Sequence, residues 1–343
     1  MKSLVLCVVS SFLIGSTTMA QIEEINGGPV NVPTEGIIDG VFIQEHIPTK
    51  RMIPYEYVRE ADAVWSRRVW EYIDLREKIN LPMYYPLDEV LPYGWVRNSS
   101  RWSLWTIIRQ HIMNGDLRMF SPYDLASYGM GVFDGDELKY PVDPQPGLNY
   151  FTDDEFRYTM LKFEFLGKII KDPNAQPLTD EFGDPIIDTL ADGTMEYRMP
   201  PPDTVWFNSS DIVQYRLKED WFFDKERSVL DVRIIAIAPV IYKKEQDSQG
   251  KVTITGMQEL FWSYFPHCRF VFNNYFVYND QNDAQWMSFD DLFWKRRFNA
   301  VAYKESNTYD RKIESYRTGV DALYESEKIK NEIRNIEHDV WSF

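Results

Sequence analysis

The sequence predicts an α+β fold in which a mixed or antiparallel sheet is packed by several helices. Apolar residues alternate along one long segment, Val229–Tyr242, and helical spacings of three and four recur elsewhere. Only Cys268 remains once a predicted leader is removed, so the chain must bury an apolar core instead of relying on disulfides. About 320 residues are enough for one large domain or two ordinary ones.

Residues 1–20 are predicted to be a cleaved signal peptide. Lys2 provides the positive start, an apolar segment extends over residues 4–14, and the small residue Ala20 precedes Gln21. The apolar segment is shorter than the roughly 20 residues that cross a bilayer. Cys7 lies inside this segment and not after it, so we expect export without a lipid anchor.

Residues 21–53 are predicted to form an extended arm, because glycines and prolines interrupt any regular structure. Between Gln21 and Thr49 the sequence contains five acidic residues and neither Lys nor Arg. A disordered tail would not need the apolar residues at 37–38 and 41–43. We therefore expect the arm to dock on another surface.

Residues 54–310 are predicted to form the α+β core, which begins with helices. A first helix is predicted from Glu56, because apolar residues at spacings of three and four share one face: Val58, Ala61, Trp65, Val69 and Ile73. A second helix has its apolar face at Leu104, Ile107, Ile108 and Ile112. Ser99 or Ser100 is expected to cap it, and Gly115 to end it. A capping box at Thr152–Glu155 predicts a further helical element.

A long hairpin is predicted at about 228–262. In Val229–Tyr242 one face is apolar throughout, and the other becomes apolar midway, which is typical of a central strand entering a covered sheet. Residues 243–250 form a polar turn, and a return strand follows. The apolar alternation falters at Gly256, which indicates a bulge.

The remaining segments of the chain are less regular, except near the C-terminus. Prolines scattered among Asp and Gly predict a loop excursion at about 133–205. Ser288 and Asp291 predict a capped short helix. Residues 311–343 are predicted to form a C-terminal helix with a narrow apolar stripe, which packs either on the protein's own core or on a partner: Ile329, Ile333, Ile336 and Val340.

The charge balance is strongly acidic, with 37 Lys and Arg against 53 Asp and Glu. This excess argues against general binding to nucleic acid or anionic lipid. It favours basic protein partners, or serves solubility alone.

No catalytic, cofactor-binding or metal-binding motif is present in the sequence. The four histidines include no pair at metal-ligand spacing, and no nucleophile elbow, phosphate loop or dinucleotide fingerprint occurs. His111 extends an apolar helix face, which favours a hydrogen-bonded core residue. Paired acids at 153–154, 219–220 and 290–291 are compatible with a glycosidase, but the first and last pairs suit helix starts. We therefore predict no catalytic residue and no cofactor.

The segment Tyr215–Ser228 combines eight charged residues with four aromatic rings. Rings covering the sheet edge, with Arg and acidic groups bonding to neighbours or to a partner, explain this pattern better than a helix does. Aromatic residues and Arg are favoured in interface cores, although an aromatic lid over the protein's own core remains an alternative. The predicted partner-contact residues are Trp65, Arg68, Trp70, Arg216, Glu219, Asp220, Trp221, Trp262 and Trp294. Cys268 is expected to be buried, or else to form an intermolecular bridge.

Four blocks of the sequence resemble the GldN/PorN family of gliding-motility and type IX secretion proteins: Ala61–Leu87, Tyr215–Pro239, Glu259–Asn279 and Ser288–Phe298. The resemblance implies a non-enzymatic subunit of a periplasmic ring, peripherally associated with the outer membrane. It implies three kinds of partner: a GldK/PorK-type outer-membrane lipoprotein, a GldM/PorM-type periplasmic shaft, and neighbouring ring subunits. The alternative is a secreted carbohydrate-binding or glycoside-cleaving protein that uses its 11 Trp and 21 Tyr residues as sugar platforms.

Overall fold

The computed structural model describes residues 52–91, 94–123, 134–142, 165–170, 176–179, 185, 187–189, 195–197, 203–246, 252–282 and 287–340. The predicted signal peptide, the predicted arm up to residue 51 and the predicted capping box at Thr152–Glu155 lie outside the described residues. So does most of the proline-rich excursion at 133–205.

The strands of the described residues are β1 (Ala63–Asp74), β2 (Glu89–Leu91), β3 (Gly94–Val96), β4 (Met119–Phe120), β5 (Pro141–Val142), β6 (Gly167–Ile170), β7 (Ile187–Thr189), β8 (Met195–Tyr197), β9 (Asp203–Trp206), β10 (Ile212–Asp224), β11 (Val229–Gln246), β12 (Val252–Glu259), β13 (Trp262–Tyr264), β14 (Phe276–Val277), β15 (Met287–Ser288) and β16 (Val301–Glu305). The helices are α1 (Leu81–Tyr84), α2 (Leu104–Asn114), α3 (Phe265–Phe272), α4 (Phe289–Trp294) and α5 (Val320–Val340). Short 3-10 turns occupy Lys78–Asn80, Gly135–Glu137, Ser209–Asp211 and Ile313–Ser315.

An antiparallel sheet of eight strands forms the centre of the molecule. Its order is β16-β1-β10-β11-β13-β4-β5, and β12 pairs with the far half of β11. The other strands form two-stranded ribbons. The α+β class is therefore confirmed, and the sheet is antiparallel.

The helix predicted from Glu56 is wrong, because Ala63–Asp74 is strand β1, paired with β10 and β16. The misleading signal was the spacing of four between Trp65, Val69 and Ile73. Four is also an even number, so these residues share a face of a strand as well as a face of a helix. β1 is rich in aromatic and β-branched residues, which suit a pleated sheet better than a helix.

Helix α2 is confirmed, but its cap is Ser103 and not Ser99 or Ser100. The Ser103 hydroxyl accepts a hydrogen bond from the Thr106 amide at 3.2 Å. Gly115 ends the helix in the left-handed conformation, with φ of 88°, as the sequence predicts.

The long hairpin is confirmed as β11 and β12. The apolar positions of β11 are buried from Ile234 onward, where both faces of the sheet become covered. The register shifts between the pairs Lys243–Gly256 and Lys244–Ile254, so the predicted bulge lies beside Gly256.

The helices pack on one face of the sheet, which we call the helix face. The largest core cluster joins α2, α3 and α4 to the inward side chains of the sheet, such as Ile73, Leu217 and Ile237. The predicted helix at Ser288 is confirmed, with a capping box between Ser288 and Asp291.

Helix α5 covers the helix face near β1 and β16. Ile329 and Ile333 are buried against Val69, Ala302 and Ile313. Ile336 is half-buried, and the structure does not describe the side chain of Val340. The apolar stripe therefore packs on the protein's own core.

Candidate functional site

The prediction that the rings of Tyr215–Ser228 cover the sheet edge is wrong. The first ten residues of this segment belong to β10, which lies between β1 and β11 in the interior of the sheet, and the rest form the turn to β11. The physical cause is that the charged groups of β10 have partners on β1, on β12, in the turn at 135–137 and after α4, which allows a polar sequence to occupy a central position.

On the helix face, two carboxylates share one guanidinium. Glu71 of β1 is 2% exposed and Glu219 of β10 is 0% exposed. Arg296, which follows α4, donates from Nη1 to Glu219 Oε1 at 2.8 Å and from Nη2 to Glu71 Oε2 at 3.1 Å. The guanidinium also lies 5.1 Å from the ring centroids of Trp221 and Phe298. Paired ions sandwiched by rings can be buried at tolerable cost.

This cluster perturbs the ionisation of its members. Burial, followed by the neighbouring Glu219 carboxylate, raises the pKa of Glu71 to about 7. Burial alone would lower the pKa of Arg296, but the two carboxylates outweigh it and raise that pKa. Lys330 of α5 reaches the edge of the cluster, where its ammonium donates to the Ala300 carbonyl.

On the opposite face of the sheet, charges and rings form a second network. Arg68 makes a bidentate pair with Asp220, at 2.6 and 2.7 Å. The Lys218 ammonium donates to the Asp136 carbonyl at 2.7 Å, and Trp70 Nε1 donates to the Asp136 carboxylate at 2.9 Å. These contacts join β1 and β10 to the short turn at 135–137.

A groove of about 430 Å³ opens beside this network. We call it the basic groove, because four cationic groups and two carboxylates line it: Arg216, Lys243, Lys304, Lys312, Asp136 and Glu259. Its aromatic lining comes from Trp70, Tyr123, Trp262 and Tyr303. Arg216 pairs with Glu259 and lies 5.0 Å from the Tyr303 ring centroid. Burial, followed by the Glu259 carboxylate, raises the pKa of Tyr303.

A third cluster fastens the segment that precedes β1. Tyr55 stacks on Trp294 with ring centroids 5.5 Å apart, and the Arg269 guanidinium lies 4.3 Å from the Tyr55 ring. Arg269 is buried, pairs with Asp290 at 2.7 Å and donates to the Ile53 carbonyl at 2.7 Å. We call this cluster the anchor, because it holds the chain where the predicted arm meets the core.

The nine predicted partner-contact residues fall into three classes of exposure. Trp70, Glu219 and Trp262 are buried in the chain, so their rings and charge stabilise the sheet. Half-buried positions are held by Trp65, Arg216, Asp220 and Trp221. The Arg68 side chain is 43% exposed, and Trp294 is 48% exposed. The structure brings Arg68 and Asp220 together but places Trp294 in the separate anchor.

Sequence reasoning missed Glu71, Arg296, Tyr55 and Arg269. Glu71 was assigned to a helix, and Arg296 is 77 residues from Glu219 in the chain. The available signal was that the block 288–298 contains both acidic and basic residues, among them Asp290 and Arg296.

Cys268 is a buried thiol in α3. Burial raises its pKa to about 12, so the thiol remains protonated and is a poor nucleophile. His111 is also a core residue, as predicted: its ring nitrogens lie 2.6 Å from Asp116 Oδ2 and 2.7 Å from the Tyr275 hydroxyl.

Two features are absent from the residues that the structure describes. No group of three or more His, Cys, Asp or Glu residues in this part of the chain has the arrangement to hold a metal ion. Among the helices that the structure describes, none is both long and apolar enough to cross a membrane.

Comparison with known proteins identifies one family. The family described as gliding motility associated protein GldN matches residues 58–342, which covers most of the chain, the central sheet and α5. The resemblance inferred from the four sequence blocks is thereby confirmed. No curated protein matches the chain.

Proposed function

The chain belongs to the GldN family, and from that membership we propose that it is a non-enzymatic structural subunit of a periplasmic ring. The ring would belong to the type IX secretion and gliding motility machinery. The observation that carries this proposal is the extent of the family match, since residues 58–342 include every strand of the central sheet.

The internal use of charge supports a structural role. In a long central strand such as β10, the ionic groups Lys218, Glu219 and Asp220 all have partners from distant parts of the chain. Such cross-links stiffen a sheet, because each buried polar group specifies one arrangement of its neighbours. A stiff sheet suits a repeating subunit of a ring that bears load.

We assign the attachment to the outer membrane to a partner. The predicted signal peptide supports a periplasmic location of the mature chain, and the family resemblance favours a GldK/PorK-type lipoprotein as the membrane attachment. The second partner is the GldM/PorM-type shaft, and the third is a neighbouring copy of the chain. The acidic excess of the sequence favours basic surfaces on these partners.

The contact residues that we propose are those predicted from the sequence whose side chains reach solvent. Trp294 exposes an indole beside the anchor, and Arg68 exposes part of its pair with Asp220. Large rings and Arg contribute disproportionately to the stability of interfaces. The predicted arm, which leaves the core at the anchor, is the further contact.

Deletion and copurification test this proposal. Loss of the gene should abolish type IX secretion, and restoring the full chain should recover it. Deletion of residues 21–51 should weaken assembly while the core stays folded, as judged by an unchanged melting temperature. Normal secretion in the strain that lacks the gene, or specific binding of the purified chain on a glycan array, would favour the carbohydrate-binding alternative.

A further inference from the structure

The basic groove differs from the rest of the chain in its charge. Its six ionisable lining groups comprise four cations and two carboxylates, whereas the whole sequence has 37 basic against 53 acidic residues. A local positive region in an acidic protein attracts negatively charged groups, whereas the acidic surfaces of two copies repel each other elsewhere. The groove therefore selects an acidic segment.

The lining of the groove suits side chains that are both acidic and apolar. The Lys304 ammonium lies 4.5 Å from the Trp70 ring centroid and 2.7 Å from Asp310, whose side chain is 74% exposed. An ion pair with so exposed a carboxylate is worth little, so an incoming acid can replace it. Lys312 is exposed at the rim, and Met257 is 45% exposed beside it.

One wall of the groove is formed by the end of β12, the last strand beside β11. Strand β12 pairs with β11 on one side, and no other strand of the described residues pairs with it. Met257, Gln258 and Glu259 lie at the end of β12 and line the groove. A segment that lies in the groove therefore contacts the side chains of β12 as well as those of β1, β10 and β16.

The chain itself contains a segment with the matching chemistry. Residues 21–49 include five acidic residues, no Lys or Arg, and apolar residues at 37–38 and 41–43. The segment precedes the anchor, where Arg269 holds Ile53, so it starts from a fixed point on the core. Thirty residues in extended form span at most roughly 100 Å, which is enough to reach a second copy.

We propose that residues 21–49 of one copy dock in the basic groove of the neighbouring copy. This inference rests on the proposed function, because a ring consists of repeating copies. The anchor lies against the first half of β11, at Arg233, whereas the groove lies against its second half, at Lys243. Two different surfaces then meet at every contact, and such a heterologous interface repeats around a ring.

Photocrosslinking of the full mature chain tests the docking. A benzoylphenylalanine replaces Met257, and unlabelled and 15N-labelled copies are mixed before irradiation. Mass spectrometry should find adducts between position 257 and residues 21–49, and the adducts should contain both isotopes. The matched control places the same probe at Leu323, which is 48% exposed on α5, and should give no adduct with that segment.

Charge reversal in the groove provides the second arm of the test. Lys304→Glu combined with Lys312→Glu should lower the yield of the adduct about tenfold, which corresponds to about 1.4 kcal/mol of binding. Lys328→Glu on α5 should leave the yield unchanged. Reversal of Glu35, Asp39 and Glu45 to Lys should restore the yield in the Lys304 and Lys312 variant.

The outcomes separate this inference from the proposed function. Adducts confined to a single isotope, adducts with another segment, or a yield that is indifferent to the groove charges would overturn the docking. A multi-copy assembly extracted from envelopes, together with no adduct at position 257, would overturn the docking alone. A chain that is monomeric in envelopes would overturn the ring proposal itself.

Discussion

The guanidinium of Arg296 lies 2.8 Å from the carboxylate of Glu219. Glu219 belongs to β10, in the interior of the sheet, and is 77 residues from Arg296 in the chain. The same guanidinium reaches Glu71 on the next strand, so one cation is hydrogen-bonded to two buried acids. Glu219 Oε2 is buried and has no hydrogen-bond partner among the residues that the structure describes. The cluster is thus stable only while Arg296 stays in place.

Arg296→Met should destabilise the protein by about 3–5 kcal/mol, because two carboxylates would be left buried without a counter-ion. Urea unfolding of the purified chain measures the change. Arg334→Met, on the exposed side of α5, is the control and should change stability by less than about 0.5 kcal/mol. Adding Glu71→Gln and Glu219→Gln to the Arg296 variant should recover part of the loss. A cost below about 1 kcal/mol for Arg296→Met would contradict the assigned role.

The pKa of Glu71 predicts a dependence of stability on pH. Burial and the neighbouring Glu219 carboxylate raise the pKa of Glu71 from 4.5 to about 7. Below about pH 4.5 both states are protonated, and between 4.5 and 7 only the unfolded state has lost the proton. The contribution of Glu71 is therefore fully present at low pH and is lost as pH rises through 7.

Glu71→Gln should remove this dependence. The stability difference between the variant and the wild type should move in favour of the variant by about 1–3 kcal/mol as pH rises from 4.5 to 8. Thermal and urea unfolding at several pH values measure this difference. The pH dependence that arises from all other ionisable groups is common to both proteins and cancels in the difference. Glu327→Gln on exposed α5 is the control. Parallel stability curves for Glu71→Gln and the wild type would rule out the shifted pKa.

Helix α5 should depend on the two isoleucines that it buries. Ile333→Ala should cost about 2–5 kcal/mol, since it leaves a cavity against Val69 and Ala302. Leu323→Ala on the same helix should cost less than about 1 kcal/mol, because Leu323 is 48% exposed. Equal losses for the two variants would mean that α5 does not pack as described.

Trp294 should control how firmly the anchor holds the segment before β1. Trp294→Ala removes the ring that stacks on Tyr55 and Arg269, which is worth about 1 kcal/mol of local stability. Trypsin cleavage at Arg59, whose side chain is 64% exposed, should become severalfold faster. Phe270→Ala, at a ring that is 52% exposed on α3, should leave the cleavage rate unchanged. An unaltered rate in the Trp294 variant would show that other contacts hold this segment.

The sequence correctly predicted those elements in which the spacing of apolar residues fits either a helix or a strand, but not both. The alternation of β11 over more than ten residues has no helical equivalent, and the face of α2 mixes spacings of one, three and four, which a strand cannot produce. The capping box formed by Ser288 and Asp291 is local, so a span of four residues was enough to predict it. β1 was missed because a spacing of four satisfies both periods.

The candidate site was less predictable, because its partners are distant in the chain. Charges in β10 indicated contacts beyond the strand, but nothing in the sequence told an internal partner from an external one. Arg296 is 225 residues from Glu71, and Asp136 is 66 residues from Trp70. Such pairs follow from the register of the sheet, which depends on the whole fold.

The ring proposal is tested most directly by the mass of the particle that contains this chain in gently solubilised envelopes, measured with its protein composition. We expect a large particle with many copies of the chain, in fixed ratio to a lipoprotein. Recovery of the chain as a free monomer, with no stoichiometric partner, would contradict the account.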